Sequence, residues 1–378
     1  MGGAIWLLVG LLVGCGRTGA PADVGPMIPD HAAAIASVDP SEVLETYATD
    51  PQPNLRAQAV RWRVRGGGEG PDDDVSSWVQ RAVVVGLTQR GADVAALLAI
   101  ARRADRDPWV RALAALARPD EAMAEALADY RVEASEWRRI PLALGAWAAG
   151  DRSAKAFLVR DLRAGVLDWN VELILAIGDH GDADVAAALA VAQGAAEPEL
   201  ELAIAAARLQ LGDLGGVAAL QRVIDGSNVE ARLEVLDLLV HVPGEASDQL
   251  IVRAGAEGPE LVTWYAELAG IDRGTTKEGR LQAAMSAERA EVRELALRFA
   301  APGVVTLPWR PRPLVDDKRR ERAAPLVESG LSDVDPRVRR QALESAAALG
   351  LGVTPAARGL ALDADPQVRI AAAGLLSL

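Results

Sequence analysis

The chain has 378 residues, half of them apolar, and within that class Ala, Leu and Val dominate over only two Phe and three Tyr. A formal net charge of −13 repels phosphate backbones and anionic headgroups, which argues against a nucleic-acid partner. With Cys15 as the single cysteine there is no internal disulfide and no thiolate metal site.

In chain order the first element is an apolar run, Ala4 to Gly14, containing Ile5, Trp6, Leu7, Leu8, Val9, Leu11, Leu12 and Val13 and ending at Cys15. It is too short for a membrane-spanning helix, which needs about 20 residues, and has the length of a signal-peptide core. The junction Leu12-Val13-Gly14-Cys15 resembles the lipobox of bacterial lipoproteins. That resemblance implies cleavage before Cys15, diacylglyceryl modification of its thiol, and anchoring by two or three acyl chains where one would be marginal. Met1-Gly2-Gly3 departs from the pattern in lacking Lys or Arg. Residues 1–14 are therefore expected to be a lipoprotein signal peptide and 15–40 a lipidated Cys with a Gly- and Pro-rich tether. Gly16 in place of Asp after the cysteine points, by the enterobacterial sorting rule, to the outer membrane. The expected location is thus exported and lipid-anchored, periplasmic or surface-facing.

From about residue 50 a helix-start pattern recurs: Asp107-Pro108-Trp109-Val110-Arg111, Asp335-Pro336-Arg337-Val338-Arg339 and Asp365-Pro366-Gln367-Val368-Arg369 are its clearest copies. Asp or Ser accepts hydrogen bonds from the free first-turn amides, and Pro at the first helical position loses none. With the Val as anchor, the series runs Leu55, Val79, Val110, Arg138, Val171, Leu200, Val229, Leu261, Val292, Val338 and Val368, mostly spaced near 30 residues. Gly150-Asp151, Gly178-Asp179 and Gly212-Asp213 read as turns that end one helix and cap the next. The pattern predicts an all-α fold, an α-solenoid of about eleven helical-hairpin repeats over 41–378.

These residues resemble HEAT-like repeats of the short phycobilisome-lyase type. The resemblance implies that the Asp and Arg of the motif pair along the array, a role that would fall on Asp107, Arg111, Asp335, Arg339, Asp365 and Arg369.

The spacing from Val292 to Val338 is 46, which marks a Pro-rich insertion near 302–313. It carries Trp309, Arg310 and Arg312 and leads to Arg319 and Arg320, a basic island in an acidic chain and the candidate partner-binding segment. The plainer alternative is a solvated loop followed by a charged helix face. Trp78, Trp109 and Trp137 each precede an anchor and read as wedges between repeats in preference to ligand platforms. His31, His180 and His241 share no helical spacing, and no nucleophile–base constellation is visible. The carboxylates of Asp179 to Asp184 and of Asp72 to Asp74 read as turn and loop residues in preference to metal ligands.

The sequence ends one helix after the last Asp-Pro start, with Leu375 and Leu378 on one face. Either that strip packs back on the preceding hairpin or it invites self-association through the C-terminal helix. Together these features lead to the expectation of a non-catalytic protein–protein interaction scaffold of the bacterial cell envelope. It would need no cofactor and no metal, and it would hold an unidentified protein or peptide partner. A lyase or isomerase acting on a bound chromophore-like ligand, suggested by the repeat family alone, and a purely structural envelope spacer stand as alternatives.

Overall fold

A computed structural model describes residues 38–71, 74–91, 94–165, 170–194, 196–256, 258–277, 279–301, 307–310 and 315–378, and all regular structure in them is helical. The signal-peptide core, Cys15 and most of the tether lie outside the described residues. No described helix is long and apolar enough to cross a membrane.

The helices in chain order are α1 (Pro40–Ala48), α2 (Pro53–Arg65), α3 (Ser77–Arg90), α4 (Val94–Ala101), α5 (Pro108–Ala117), α6 (Glu121–Ala126) and α7 (Glu136–Ala148). Then follow α8 (Ala154–Arg163), α9 (Val171–His180), α10 (Ala183–Gln193), α11 (Pro198–Gln210), α12 (Val217–Ile224), α13 (Val229–Leu239), α14 (Glu245–Ala256) and α15 (Glu260–Asp272). The last are α16 (Gly279–Met285), α17 (Ala290–Ala300), α18 (Asp317–Leu331), α19 (Pro336–Leu349), α20 (Pro355–Gly359) and α21 (Pro366–Leu376). By their contacts they form two compact units. Of the described residues, the first holds those within 91–276 together with Leu307–Arg310; the second holds those within 38–90, 277–301 and 315–378.

The helix starts follow from the motif. Asp107 Oδ1 accepts from Trp109 N–H at 2.9 Å, Asp335 from Arg337 N–H at 2.9 Å and Asp365 from Gln367 N–H at 2.8 Å, each with Pro at the first helical position. Leu55, Val79, Val110, Val292, Val338 and Val368 are buried, as anchors should be. At three repeats the register differs from that read in the sequence. Asn170 and Asn228 are the caps of α9 and α13, so Val171 and Val229 are first helical residues; the third are Leu173, which is buried, and Ala231. In α15 the buried third residue is Val262, not Leu261. A Val directly after a capping Asn imitates the anchor spelling two residues early. The Gly-Asp turns at 150–151 and 212–213 are present, with φ of 108° and 81° at the glycines. Gly178-Asp179 is no turn: α9 continues through it to His180.

Arg111 and Arg339 of the motif pair with acids further along the chain, but not with the motif's Asp, whereas Arg369 donates to Tyr47 Oη and to the carbonyls of Asp363 and Ala364. Arg339 places Nε and Nη2 on the Asp363 carboxylate at 2.8 and 2.9 Å while Nη1 donates to the carbonyls of Asp333 and Val334. Arg56 meets Asp74 in the same way, and Arg293 meets Asp333. In all three the acceptor lies two residues before the next cap. Arg111 reaches Asp129, and Arg139 reaches Asp161. The motif's own Asp is occupied in capping, and Asp335 also holds the Arg337 guanidinium, at 3.1 Å from Nε and 2.9 Å from Nη2. These pairs are forked, charge-assisted and partly desolvated, the geometry in which an ion pair fixes a register.

In the first unit the motif helices form one row, α5, α7, α9, α11, α13 and α15, each packed on the next. Pairs of the intervening helices also touch, α4 with α6, α8 with α10, and α12 with α14. In the second unit the row is α17, α19, α21, α2 and α3, so the first helices of the chain continue the row after the last. Helix α1 packs on both α21 and α2. Leu375 is accordingly only 4% exposed, although Leu378 remains 56% exposed. The C-terminal helix is thus packed both by the helices that precede it in sequence and by the N-terminal helices α1 and α2, and Leu375 is buried within it. At this junction Gly374 lies so close to Trp62 that a Cβ would collide with the indole ring. Arg65 Nη2 donates to Ala347 O at 2.9 Å, Arg61 pairs with Glu344, and Arg369 Nε donates to Tyr47 Oη at 3.0 Å.

Candidate functional site

The most elaborate polar cluster of the first unit is built on Asp179. Gly178 allows α9 and α11 to approach closely: a Cβ there would sit 3.0 Å from Ala207 Cα. The helix ends at Gly181, whose N–H donates to Ile177 O at 2.8 Å. Asp179 therefore has no capping role, and its carboxylate is available to the segment Leu307–Arg310. Arg310 donates from Nε and Nη2 at 2.7 and 2.6 Å, Trp309 from Nε1 at 2.7 Å, and Gln210 from Nε2. Both carboxylate oxygens are thus doubly engaged, close to the full capacity of the group. The remaining arginine nitrogen, Nη1, donates to His241 O at 2.6 Å, just past the end of α13.

The aromatic half of the cluster is apolar on one side and wet on the other only at its edges. Trp309 is 7% exposed and meets Trp109 of α5 edge to face, with ring centroids 5.9 Å apart and planes at 79°. Trp109 Nε1 in turn donates to Glu172 Oε2 on α9 at 3.3 Å. Beside the ion pair, His180 Nε2 and Gln210 Oε1 are buried without a hydrogen-bond partner. Burial pushes the His180 pKa below the ordinary imidazole value; Asp179 opposes the shift and Arg310 adds to it. The arrangement can recognise a planar cation and an indole N–H through one carboxylate and one carbonyl, with an aromatic wall alongside.

Among the residues expected from the sequence, Trp309 and Arg310 come together in this cluster, turned inward. Arg312 and Cys15 lie outside the described residues. Arg319 donates to the carbonyls of Phe299 and Ala300 at the end of α17, and Arg320 to Leu349 O at the end of α19, so both serve helix C-termini. The three tryptophans before anchors share no single role: Trp109 is buried, Trp78 half-buried and Trp137 44% exposed. Asp182 caps α10 and shares Lys155 Nζ with Asp184, at 2.6 Å each. Among the described residues no three His, Cys, Asp or Glu side chains gather as a metal set.

The sequence reading missed Asp179, Gln210, His241 and Trp109 as partners of the insertion. Asp179 and Arg310 are 131 residues apart, and no local spelling connects them. One signal was present: Gly181 follows three residues after Gly178 and offers a second place for α9 to end, which leaves Asp179 without an amide to cap.

No protein-family model and no curated protein matches this chain. One solved structure, the crystal structure of an engineered protein determined by a structural-genomics consortium, aligns over 90% of this chain and 98% of its own at 14% identity. Its TM-score is 0.23, so the likeness carries no argument about fold or function.

Proposed function

We propose that this chain is a non-catalytic protein-binding scaffold, an α-solenoid of HEAT-like repeats held at a bacterial envelope membrane by lipid on Cys15. The observation that supports it best is the construction of the rows. In both units motif helices follow one another side by side, α5, α9, α13, α19 and α21 with side-chain-capped starts, and in the second unit forked pairs join Arg56 to Asp74 and Arg339 to Asp363, so that equivalent turns recur along an edge. Such a design repeats a surface, as extended binding arrays do. Along the second unit's edge the turn residues Val75 and Val334 are 95% and 89% exposed. The anchoring half of the reading rests on the apolar core and the Leu12-Val13-Gly14-Cys15 junction.

The test is photo-crosslinking in the native envelope, with a photoreactive residue placed in turn at Val75 and Val334 of the full chain. One protein captured from both positions, and lost when Cys15→Ala releases the chain from the membrane, is expected. Intact acylation with no crosslink from either position would overturn the scaffold reading.

A further inference from the structure

The Asp179 cluster has the form of a receptor and its ligand within one chain. The receptor side comes from four helices of the row: Trp109 from α5, Asp179 and Glu172 from α9, Gln210 from α11, and the His241 carbonyl just past α13. The ligand side is the four-residue segment Leu307-Pro308-Trp309-Arg310, in which Leu307 and Trp309 are buried and Arg310 is clamped on three nitrogens. We propose that this is a recognition site for an extended partner segment carrying an aromatic residue followed by arginine, and that Leu307–Arg310 occupies it as an intramolecular stand-in.

Three observations carry this. First, the contacts are those by which a surface reads a peptide: a forked carboxylate–guanidinium pair, a carbonyl on the third guanidinium nitrogen, an indole N–H on the same carboxylate and an aromatic wall for the ring. Second, the segment leaves the site incompletely satisfied, since Gln210 Oε1 and His180 Nε2 are buried beside Asp179 without partners. Buried polar atoms are for the most part paired, so these two mark hydrogen-bonding capacity of the site that Leu307–Arg310 does not use. Third, the unit that holds the site carries 30 acidic against 18 basic residues, a field that draws in a cationic segment. A tethered ligand acts at an effective concentration of about millimolar, so it masks the site from weak competitors and yields to a partner with additional contacts.

The inference deepens the scaffold reading by naming a partner chemistry, and the two fail separately. The probe is a capped, fluorescent Leu-Pro-Trp-Arg peptide, titrated by anisotropy against the full chain and against a Trp309→Ala/Arg310→Ala variant. Vacating the site should tighten peptide binding at least tenfold over wild type; adding Asp179→Asn, or replacing the peptide's arginine by glutamine, should remove the gain. A folded variant that binds no better than wild type, or binds the glutamine peptide equally, overturns the proposal. Should the double variant lose its helical circular dichroism, restoration by peptide supports the proposal and failure to restore it overturns it. Peptide failure alongside intact envelope crosslinks would remove this inference and leave the scaffold standing; the reverse result would do the opposite.

Discussion

At the scale of the residue, Asp179 and His180 show how one step of helix register decides chemistry. Had α9 ended at Gly178, Asp179 would cap the next helix and His180 would face solvent; because it runs on, both turn toward Arg310. Asp179→Asn would leave a guanidinium with no counter-charge in a partly desolvated place. We expect a loss of about 2–3 kcal/mol, below the cost of breaking a fully buried pair because both side chains keep some solvent contact. Urea denaturation measures it, and a change under about 0.5 kcal/mol, the ordinary range for a surface substitution, would mean that the clamp is not held in solution. His180 makes a second prediction. Its folded pKa lies below the unfolded value of 6.5, so between the two the unfolded chain binds the proton first. Stability from this group is therefore complete above pH 6.5 and declines as pH falls toward the folded pKa. The melting temperature of wild type relative to His180→Gln, followed from pH 8 to pH 5, should be flat at first and then drop; a flat difference throughout would contradict the burial.

At the scale of the element, the helix starts were legible because they depend on neighbours in sequence. Asp107, Asp335 and Asp365 with their prolines cap where the spelling says they should. The failures at α9 and α13 share a cause, since Asn-Val satisfies either the cap or the anchor reading; at α15 the misleading residue is Pro259, which stands at the cap and not at the first helical position. Which acid each arginine meets was not legible. Local spacing favours the motif's own Asp, yet that carboxylate already faces amides, and the acceptor comes from a turn whose position depends on packing. A double-mutant cycle distinguishes the two. Arg339 and Asp363 should couple by at least about 1 kcal/mol, whereas Arg339 and Asp335 should couple negligibly, with Asp335→Ala alone costing about 1 kcal/mol as a lost cap. Comparable coupling in both cycles would show that the arginine divides itself between them.

At the scale of the whole molecule, the all-helical class could be read from period and punctuation, but the order of helices in the second unit could not. That order joins residues more than 300 positions apart, such as Arg369 and Tyr47, and sequence pattern holds no record of it. A helix in a row buries its apolar face against a neighbour in sequence or against a helix from elsewhere in the same chain. For α21, α1 is of the second kind. It begins at Asp39, whose side chain accepts from Ser41 N–H at 2.9 Å, and it buries Leu44. Deleting residues 38–49 should thus act at the far end of the sequence. It removes a helix that packs on α21 and the Tyr47 hydroxyl from Arg369, and the expected loss is about 2–4 kcal/mol for the buried Leu44 and its neighbours. Hydrogen exchange locates the effect: the amides of Ala371 to Leu375 should lose protection together with those of α2, because α21 and α2 pack directly on one another. Arg369→Met, which breaks only the hydroxyl contact, should move the same amides by a smaller amount. Unchanged protection of α21 in the deletion variant would mean that the last helix does not depend on the first, and the closure of this row would have to be abandoned.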